Sequence, residues 1–197
     1  MNYDRQLDNI ICKLNGKKPS LLLHACCAPC SSYVLEYLNP HFNITLFFSN
    51  PNISPEEEYQ KRLCELKRLV LEMGLSVKII EDDYLPKDFF DMAKGLETLP
   101  EGGERCRKCY ELRLNKTAAL AKQGGFDYFC TTLSISPYKN AQWINEIGEE
   151  LSKEFGVPFL PSDFKKKNGY KRSIELSRKY NLYRQNFCGC VFSIKNK

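Results

Sequence analysis

Cysteine dominates the chemistry open to this chain of 197 residues. Ten cysteines occur, and most of them gather in three short stretches: Cys26, Cys27 and Cys30; Cys106 and Cys109; Cys188 and Cys190. Met1 to Lys18 is largely polar with no signal-peptide pattern, and no apolar run is long enough to span a membrane. A cytoplasmic location is therefore expected. A disulfide framework suits a reducing compartment poorly, so metal binding or thiol catalysis is the better account of the thiols.

Cys27-Ala-Pro-Cys30 and Cys106-Arg-Lys-Cys109 are both C-x-x-C pairs. Two such pairs can make a tetrahedral zinc site or hold an iron–sulfur cluster. Zinc ribbons set their pairs closer together than these, at about 15–20 residues. A four-thiol zinc site also leaves Cys26 or Cys30, and the Cys188-Gly-Cys190 pair, without a task, whereas a redox site can use them all. Arg105, Arg107 and the helix starts near Pro29 and Cys106 favour thiolate over thiol; Lys108 is more simply a helix-end charge. Cys12, Cys64 and Cys130 sit in apolar periodic settings and read as small buried hydrophobes. His24 ends an apolar strand and reads as a hydrogen-bonded core histidine rather than a ligand. His41 reads as a surface residue and Trp143 as packing.

The elements that carry these residues alternate. Leu7, Ile10, Ile11 and Leu14 mark an amphipathic opening helix. Strands are expected at 20–24, 44–48, 77–80, 128–131 and, briefly, 157–160, with helices between them and a last helix at about 169–180. Ser54-Pro55-Glu56-Glu57 reads as a capping box opening the helix that carries Tyr59 and Arg62. The pattern predicts a mainly parallel, five-stranded α/β sheet with helices on both faces. One domain is expected over 1–197, its core at about 20–160 and a C-terminal extension at 161–197 carrying the Cys-Gly-Cys tail. The cysteine loop at 25–30 then lies at the carboxyl end of the first strand, where such sheets carry ligands. Neither G-x-G-x-x-G nor a Walker phosphate loop is present. Net charge is +5, and Lys165, Lys166, Lys167, Lys171 and Arg172 bunch late in the chain; that bunch reads either as a phosphate or RNA surface or as a solvated helix end.

Taken together, His24-Ala-Cys-Cys-Ala-Pro-Cys30, Asn50-Pro-Asn-Ile-Ser-Pro55, Glu58-Tyr59-x-x-Arg62, Cys106-x-x-Cys109-Tyr110-x-x-Arg113-Leu114, Ser136-Pro-Tyr-Lys139 and Cys188-Gly-Cys190 resemble the QueH-type epoxyqueuosine reductases. The resemblance implies an adenine-nucleotide-α-hydrolase-like (HUP) fold and cobalamin-independent, two-electron deoxygenation of epoxyqueuosine in tRNA, the last step of queuosine synthesis. It implies a [4Fe-4S] cluster on Cys26, Cys27, Cys106 and Cys109, and a redox-active pair at Cys188 and Cys190. An additional iron is associated with the family, with Cys30, Asp82 and Asp83 as candidate ligands. Tyr59, Arg62, Lys139, Tyr183 and Gln185 are candidates for contacting the modified base. An electron donor is required that these motifs do not identify. ATP-using relatives of the fold carry Ser-Gly-Gly-x-Asp-Ser where this chain has its thiols, so no use of ATP is expected. A zinc-stapled nucleic-acid-binding module and a general thiol–disulfide oxidoreductase are the alternative functions. The aromatic neighbours Tyr183, Phe187 and Phe192 are expected to dock the tail over the cluster loop.

Overall fold

The computed structural model describes residues 2–193. In chain order it has α1 (Tyr3–Lys13), β1 (Ser20–His24), α2 (Ala28–Leu38), β2 (Asn43–Phe48), α3 (Glu56–Glu72), β3 (Lys78–Glu81), α4 (Pro86–Ala93), α5 (Glu104–Gln123), β4 (Tyr128–Thr131), α6 (Ala141–Phe155) and α7 (Gly169–Lys179). Short 3-10 turns lie at Thr132–Ile135 and Val191–Ser193. Among the described residues, no helix is long and apolar enough to cross a membrane.

The sheet is parallel throughout, in the order β3-β2-β1-β4. β1 is thus flanked on both sides, and its continuous apolar run follows from burial on both faces. Successive side chains alternate between the faces. Leu21 and Leu23 join Val34, Leu35 and Leu38 of α2 and Leu63, Leu66 and Val70 of α3. Leu22 joins Leu114 and Ala118 of α5 and Ile144 and Ile147 of α6.

The sheet has four strands, not five. Residues 157–160 meet β4 through one parallel bridge, Phe129 to Phe159. Phe129 donates its N–H to Pro158 O at 3.0 Å, and Leu160 donates to Phe129 O at 2.8 Å. Pro158 has no N–H to extend the bridge on one side, and on the other the Ser162 N–H donates to Asn145 Oδ1 at 2.9 Å, so the bridge does not lengthen into a ladder.

The expected capping box at Ser54 does not form. Pro55 occupies the N-cap, no side chain caps the helix, and Glu56, Glu57 and Glu58 in its first turn face the positive end of the dipole. The Ser54 N–H is used elsewhere, donating to Gly189 O at 3.0 Å. Cys12 and Cys64 are exposed, while Cys130 is buried. Each exposed thiol follows an inward residue, Ile11 or Leu63, by one position, and therefore lies about 100° round its helix from it.

Gly148 sets how closely α6 approaches the 157–160 segment. A Cβ there would lie 2.4 Å from the Phe159 ring. Gly148→Ala is expected to destabilise the fold by about 1–3 kcal/mol, as overpacked cores do, read as a lower urea midpoint with an unchanged m-value.

Candidate active site

The carboxyl ends of β1, β2 and β4 are tied by one residue. His24 is fully buried, with Nδ1 at 2.9 Å from Thr131 Oγ1 and Nε2 at 3.0 Å from Ser49 O. A carbonyl only accepts, so Nε2 carries the proton and Nδ1 accepts from the threonine. Burial, reinforced by the Arg113 charge, pushes the imidazole down to about 4. His24 is therefore a neutral knot beneath the site, as its strand position suggested.

Above it, the loop after β1 gathers three thiols. The Sγ atoms of Cys26, Cys27 and Cys30 all lie within 4.8 Å of one another, with Cys26 and Cys27 at 3.8 Å. Hydrogen bonds from Cys27 and Cys30 hold the Cys26 thiol well below its ordinary range, against burial and with help from Lys139 and Thr132. The same contacts push Cys27 up to about 12 and raise Cys30. Of the three, Cys26 is the thiol whose ionised form its neighbours favour. Cys106 stands in the first turn of α5, where the Gly102 N–H reaches its Sγ at 3.3 Å, and Cys109 in the second.

A cleft of about 810 Å³ is lined by Cys26, Cys30, Arg113, Lys139 and Cys188 among others. Beside it, a small pocket lined by Cys106, Cys109, Cys188 and Cys190 shares Arg113, Tyr138 and Lys139 with the cleft. Tertiary structure thus brings all three cysteine groups to adjoining cavities. Arg105 and Arg113 are 1% and 3% exposed and have no carboxylate partner among the described residues. Arg105 Nη1 donates to the carbonyls of Leu96, Glu97 and Leu99 at 2.9, 2.8 and 2.6 Å; Arg113 Nε donates to Cys109 O at 3.1 Å. Two polar atoms lining the small pocket, Arg105 Nε and Asn52 Oδ1, are buried without partners. An all-sulfur donor set, buried cations and a buried N–H without a partner fit an anionic thiolate-bound cluster.

The Cys-Gly-Cys tail is held down from α3. Arg62 donates to Cys188 O at 3.0 Å and Phe187 O at 3.3 Å, and its Nε donates to Glu58 at 2.6 Å. Gly189 has φ +105°, and a Cβ there would stand 2.8 Å from Ile53 Cγ1 and 3.2 Å from Arg62 Nη1. Only glycine serves both the torsion and the close approach. Cys188 is held well below its ordinary range by its hydrogen bond with Cys190, against burial, with Lys139 and Ser193 assisting; Cys190 is raised.

Residues 21–196 match the family model described as epoxyqueuosine reductase QueH. The chain belongs to this family. It is 46% identical over 201 residues to the epoxyqueuosine reductase QueH of Streptococcus pyogenes serotype M1, covering 99% of this chain and 79% of that one. It is 47% identical to that of Staphylococcus epidermidis, covering 98% and 84%, and 35% identical to that of Thermotoga maritima, covering 89% and 90%. Among solved structures, the U34-tRNA thiolase NcsA from Methanococcus maripaludis with its [4Fe-4S] cluster aligns at TM-score 0.57 and 12% identity, covering 98% of this chain and 67% of that one. NMN synthetase from Francisella tularensis aligns at 0.51 and 14%, covering 95% and 75%. At those identities the two structures speak for the fold alone.

Within this QueH-family site the candidate residues part company. Lys139 and Gln185 line the larger cleft. Tyr59 is buried instead, its ring between Phe48 and Tyr84 and its hydroxyl donating to Asp82 O at 3.1 Å. Arg62 lines the cleft but spends its guanidinium on the tail and Glu58. Tyr183 donates its hydroxyl to Glu58 and lies under Lys61, 3.6 Å from the ring centroid, so it anchors the chain leading to the tail. Asp82 accepts from Ser49 Oγ at 2.6 Å and pairs with Lys116 at 3.3 Å; Asp83 is exposed. Neither lines a cavity with the thiols, because β3 is the edge strand and β2 stands between it and the β1 loop. The late basic cluster is largely paired, Lys165 with Asp163, Lys167 with Asp8, and Arg172 with Glu36 and Glu175. Arg105 carried a signal in its place beside the second cysteine pair, whereas Asn52 and Thr132 were given no role by residue type. Arg113 had a signal, its i,i+4 spacing from Cys109, which puts both on one helix face.

Glu65 and Arg68 anchor the approach to the tail. Glu65 accepts the Tyr183 N–H at 2.6 Å, and Arg68 donates to Tyr180 O and Asn181 O, each at 3.1 Å. The Arg68 hydrogen bond, then the Tyr183 N–H, hold the Glu65 carboxyl below its ordinary 4.5. A depressed folded value means the contribution is complete above 4.5 and is lost as pH falls through the folded value. The hydrogen-exchange protection factor at Tyr183, which corrects for the slower intrinsic exchange in acid, is expected to fall under such acidification. Glu65→Ala should bring that lower protection to neutral pH, at a stability cost on the order of 1 kcal/mol.

Proposed function

We propose that this chain removes the epoxide oxygen of epoxyqueuosine in tRNA, giving queuosine, and that it does so at the cleft where its three cysteine groups meet. The observation that carries the reading is that convergence, at the carboxyl edge of the sheet, in a member of the epoxyqueuosine reductase QueH family. Cys26, Cys27, Cys106 and Cys109 would hold the [4Fe-4S] cluster. A cluster bound there supplies electrons one at a time.

The overall change needs two electrons and two protons. Both C–O bonds of the epoxide break, a C=C bond forms, and the oxygen leaves as water. The Cys188/Cys190 dithiol matches this balance: it loses two electrons and two protons as its S–S bond forms, and an external reductant restores it. Cys188 and Cys190 sit on either side of Gly189, with Cys188 the more readily ionised. Arg113 and Lys139 line the cleft beside Cys188 and oppose negative charge growing on the departing oxygen. Of the candidates for an additional iron, Cys30 is the one beside the other thiols. We read the sheet as HUP-like, with the thiol loop after β1 in the position of a phosphate cradle, and the reading calls for neither ATP nor cobalamin. The ten free thiols accord with a reducing, cytoplasmic compartment.

The test is mass analysis of nucleosides from epoxyqueuosine-containing tRNA incubated anaerobically with the purified protein and a reductant. Loss of one oxygen atom is expected. Protein with a full iron and sulfide complement that leaves the nucleoside unchanged would falsify the activity. Colourless protein carrying zinc would replace the cluster with the zinc-stapled alternative. Cys106→Ala should lose iron and sulfide. Cys188→Ser and Cys190→Ser should keep both yet fail to turn over repeatedly; loss of iron in either would instead make that cysteine a ligand.

A further inference from the structure

Tyr138 exposes 79% of its surface, yet it lines both the large cleft and the small thiol pocket. It stands in the turn between the 3-10 segment at Thr132–Ile135 and α6. Pro137 precedes it, its N–H donates to Ser136 Oγ at 3.3 Å, and the Lys139 N–H returns to Ser136 O at 3.2 Å. The ring is therefore carried on a short, internally bonded turn rather than a free loop. Leaving a large aromatic surface in water forgoes the stabilisation that burying it would bring.

The surroundings favour one kind of occupant. Arg113, Lys139 and Arg184 line the large cleft, and Glu101 is the only carboxylate lining either cavity among the described residues. Cations beside an exposed ring are the combination that holds single-stranded nucleic acid, the charges meeting phosphates and the ring meeting a base. The thiols that must reach the epoxide line the cleft with little exposure, while Tyr138 is largely open to solvent. A substrate whose reactive ring reaches the thiols leaves the neighbouring parts of its chain at the rim.

We propose that Tyr138 is a stacking platform for the nucleobase adjacent to the modified one, and so helps the enzyme select RNA-borne substrate. The inference rests on the epoxyqueuosine-tRNA reading above. Base–aromatic stacks tolerate any base, since every base has a π-face; the site would therefore recognise the presence of a flanking base rather than its identity.

The experiment is a double-mutant cycle on binding, using anaerobically purified protein. The probes are the epoxyqueuosine-containing tRNA stem-loop, intact or with an abasic site directly 5′ or 3′ of the modified nucleotide. Wild-type protein should bind one abasic loop roughly 10-fold more weakly than the intact loop, within the range of such stacks. Tyr138→Leu should bind the intact loop about as weakly and no longer distinguish the abasic one; Tyr138→Phe should behave as wild type. Iron and sulfide content should be the same in all three proteins. A Tyr138→Leu protein that still discriminates, or a wild type that binds all the loops equally, overturns the stack and leaves the reductase reading standing. A wild type that does not bind the intact loop overturns the RNA reading itself, and the stack with it.

Discussion

Two buried guanidinium groups, Arg105 and Arg113, lie among the thiols and have no carboxylate partner among the described residues. A buried charge left without an opposite charge costs several kcal/mol, even after the protein relaxes around it. Backbone carbonyls take up part of the demand: three bond Arg105, and Cys109 O bonds Arg113. Beyond the Glu101 carboxylate at the cavity lining, sulfur is the nearby group that can carry negative charge. The charge pattern at the thiols follows, because Cys26 and Cys188 are the sulfurs held toward thiolate, and Lys139 contributes to both. A site of this kind suits ligands that are themselves anionic, whether thiolate-bound iron and sulfide or the phosphates of an RNA chain.

The charge arrangement depends in turn on the sheet edge being rigid. β1 lies between β2 and β4, and His24 at its end binds Thr131 of β4 and the Ser49 carbonyl just beyond β2. Asn50 then donates to Ala25 O at 2.9 Å, so the loop after β2 is bonded to the loop that carries the thiols. Each of these bonds is buried, where losing one partner costs more than the bond itself contributes. The thiol loop is thus held from beneath and from one side.

The C-terminal tail is held differently. Among the described residues it has no regular structure beyond one 3-10 turn, and its position comes from α3 and the loop that precedes it. Arg62, Glu58, Ser54 and Ile53 meet residues 183–189 through an N–H, a carboxylate, a guanidinium and one close van der Waals contact. At the far end, Phe192 packs against Phe89 and Phe90 of α4 and lies under Arg105. The rings of Tyr183, Phe187 and Phe192 each find a cation or another aromatic, on α3, α4 and α5; these contacts are not with the cluster loop over which docking was expected. A thiol pair mounted this way is located by contacts at both ends while Gly189 leaves the span between the thiols compact.

The amino-acid sequence by itself determined the alternation of strands and helices, the two-faced burial of β1, the thiol loop at its carboxyl end, and the kind of chemistry that seven clustered cysteines imply. Those features are local: period, punctuation by proline and glycine, and residue type within a few positions. What depends on partners far along the chain was decided only by the packed fold. The 157–160 segment looked like a strand but has a proline at one donor position, and the Ser162 N–H at the next is taken by Asn145. Tyr59, Arg62 and Tyr183 looked free to greet a substrate, yet their polar atoms are taken by Asp82, Glu58 and the tail. Asp82 looked available to a metal but lies beyond β2, paired with Lys116. The basic run near residue 165 could be an RNA surface or a solvated helix end, and the fold sets Asp8 and Glu36, distant in sequence, against Lys167 and Arg172. Side-chain identity limits which bonds a residue can form; which of them it does form is decided by the few groups that the packed fold brings within about 3 Å of it.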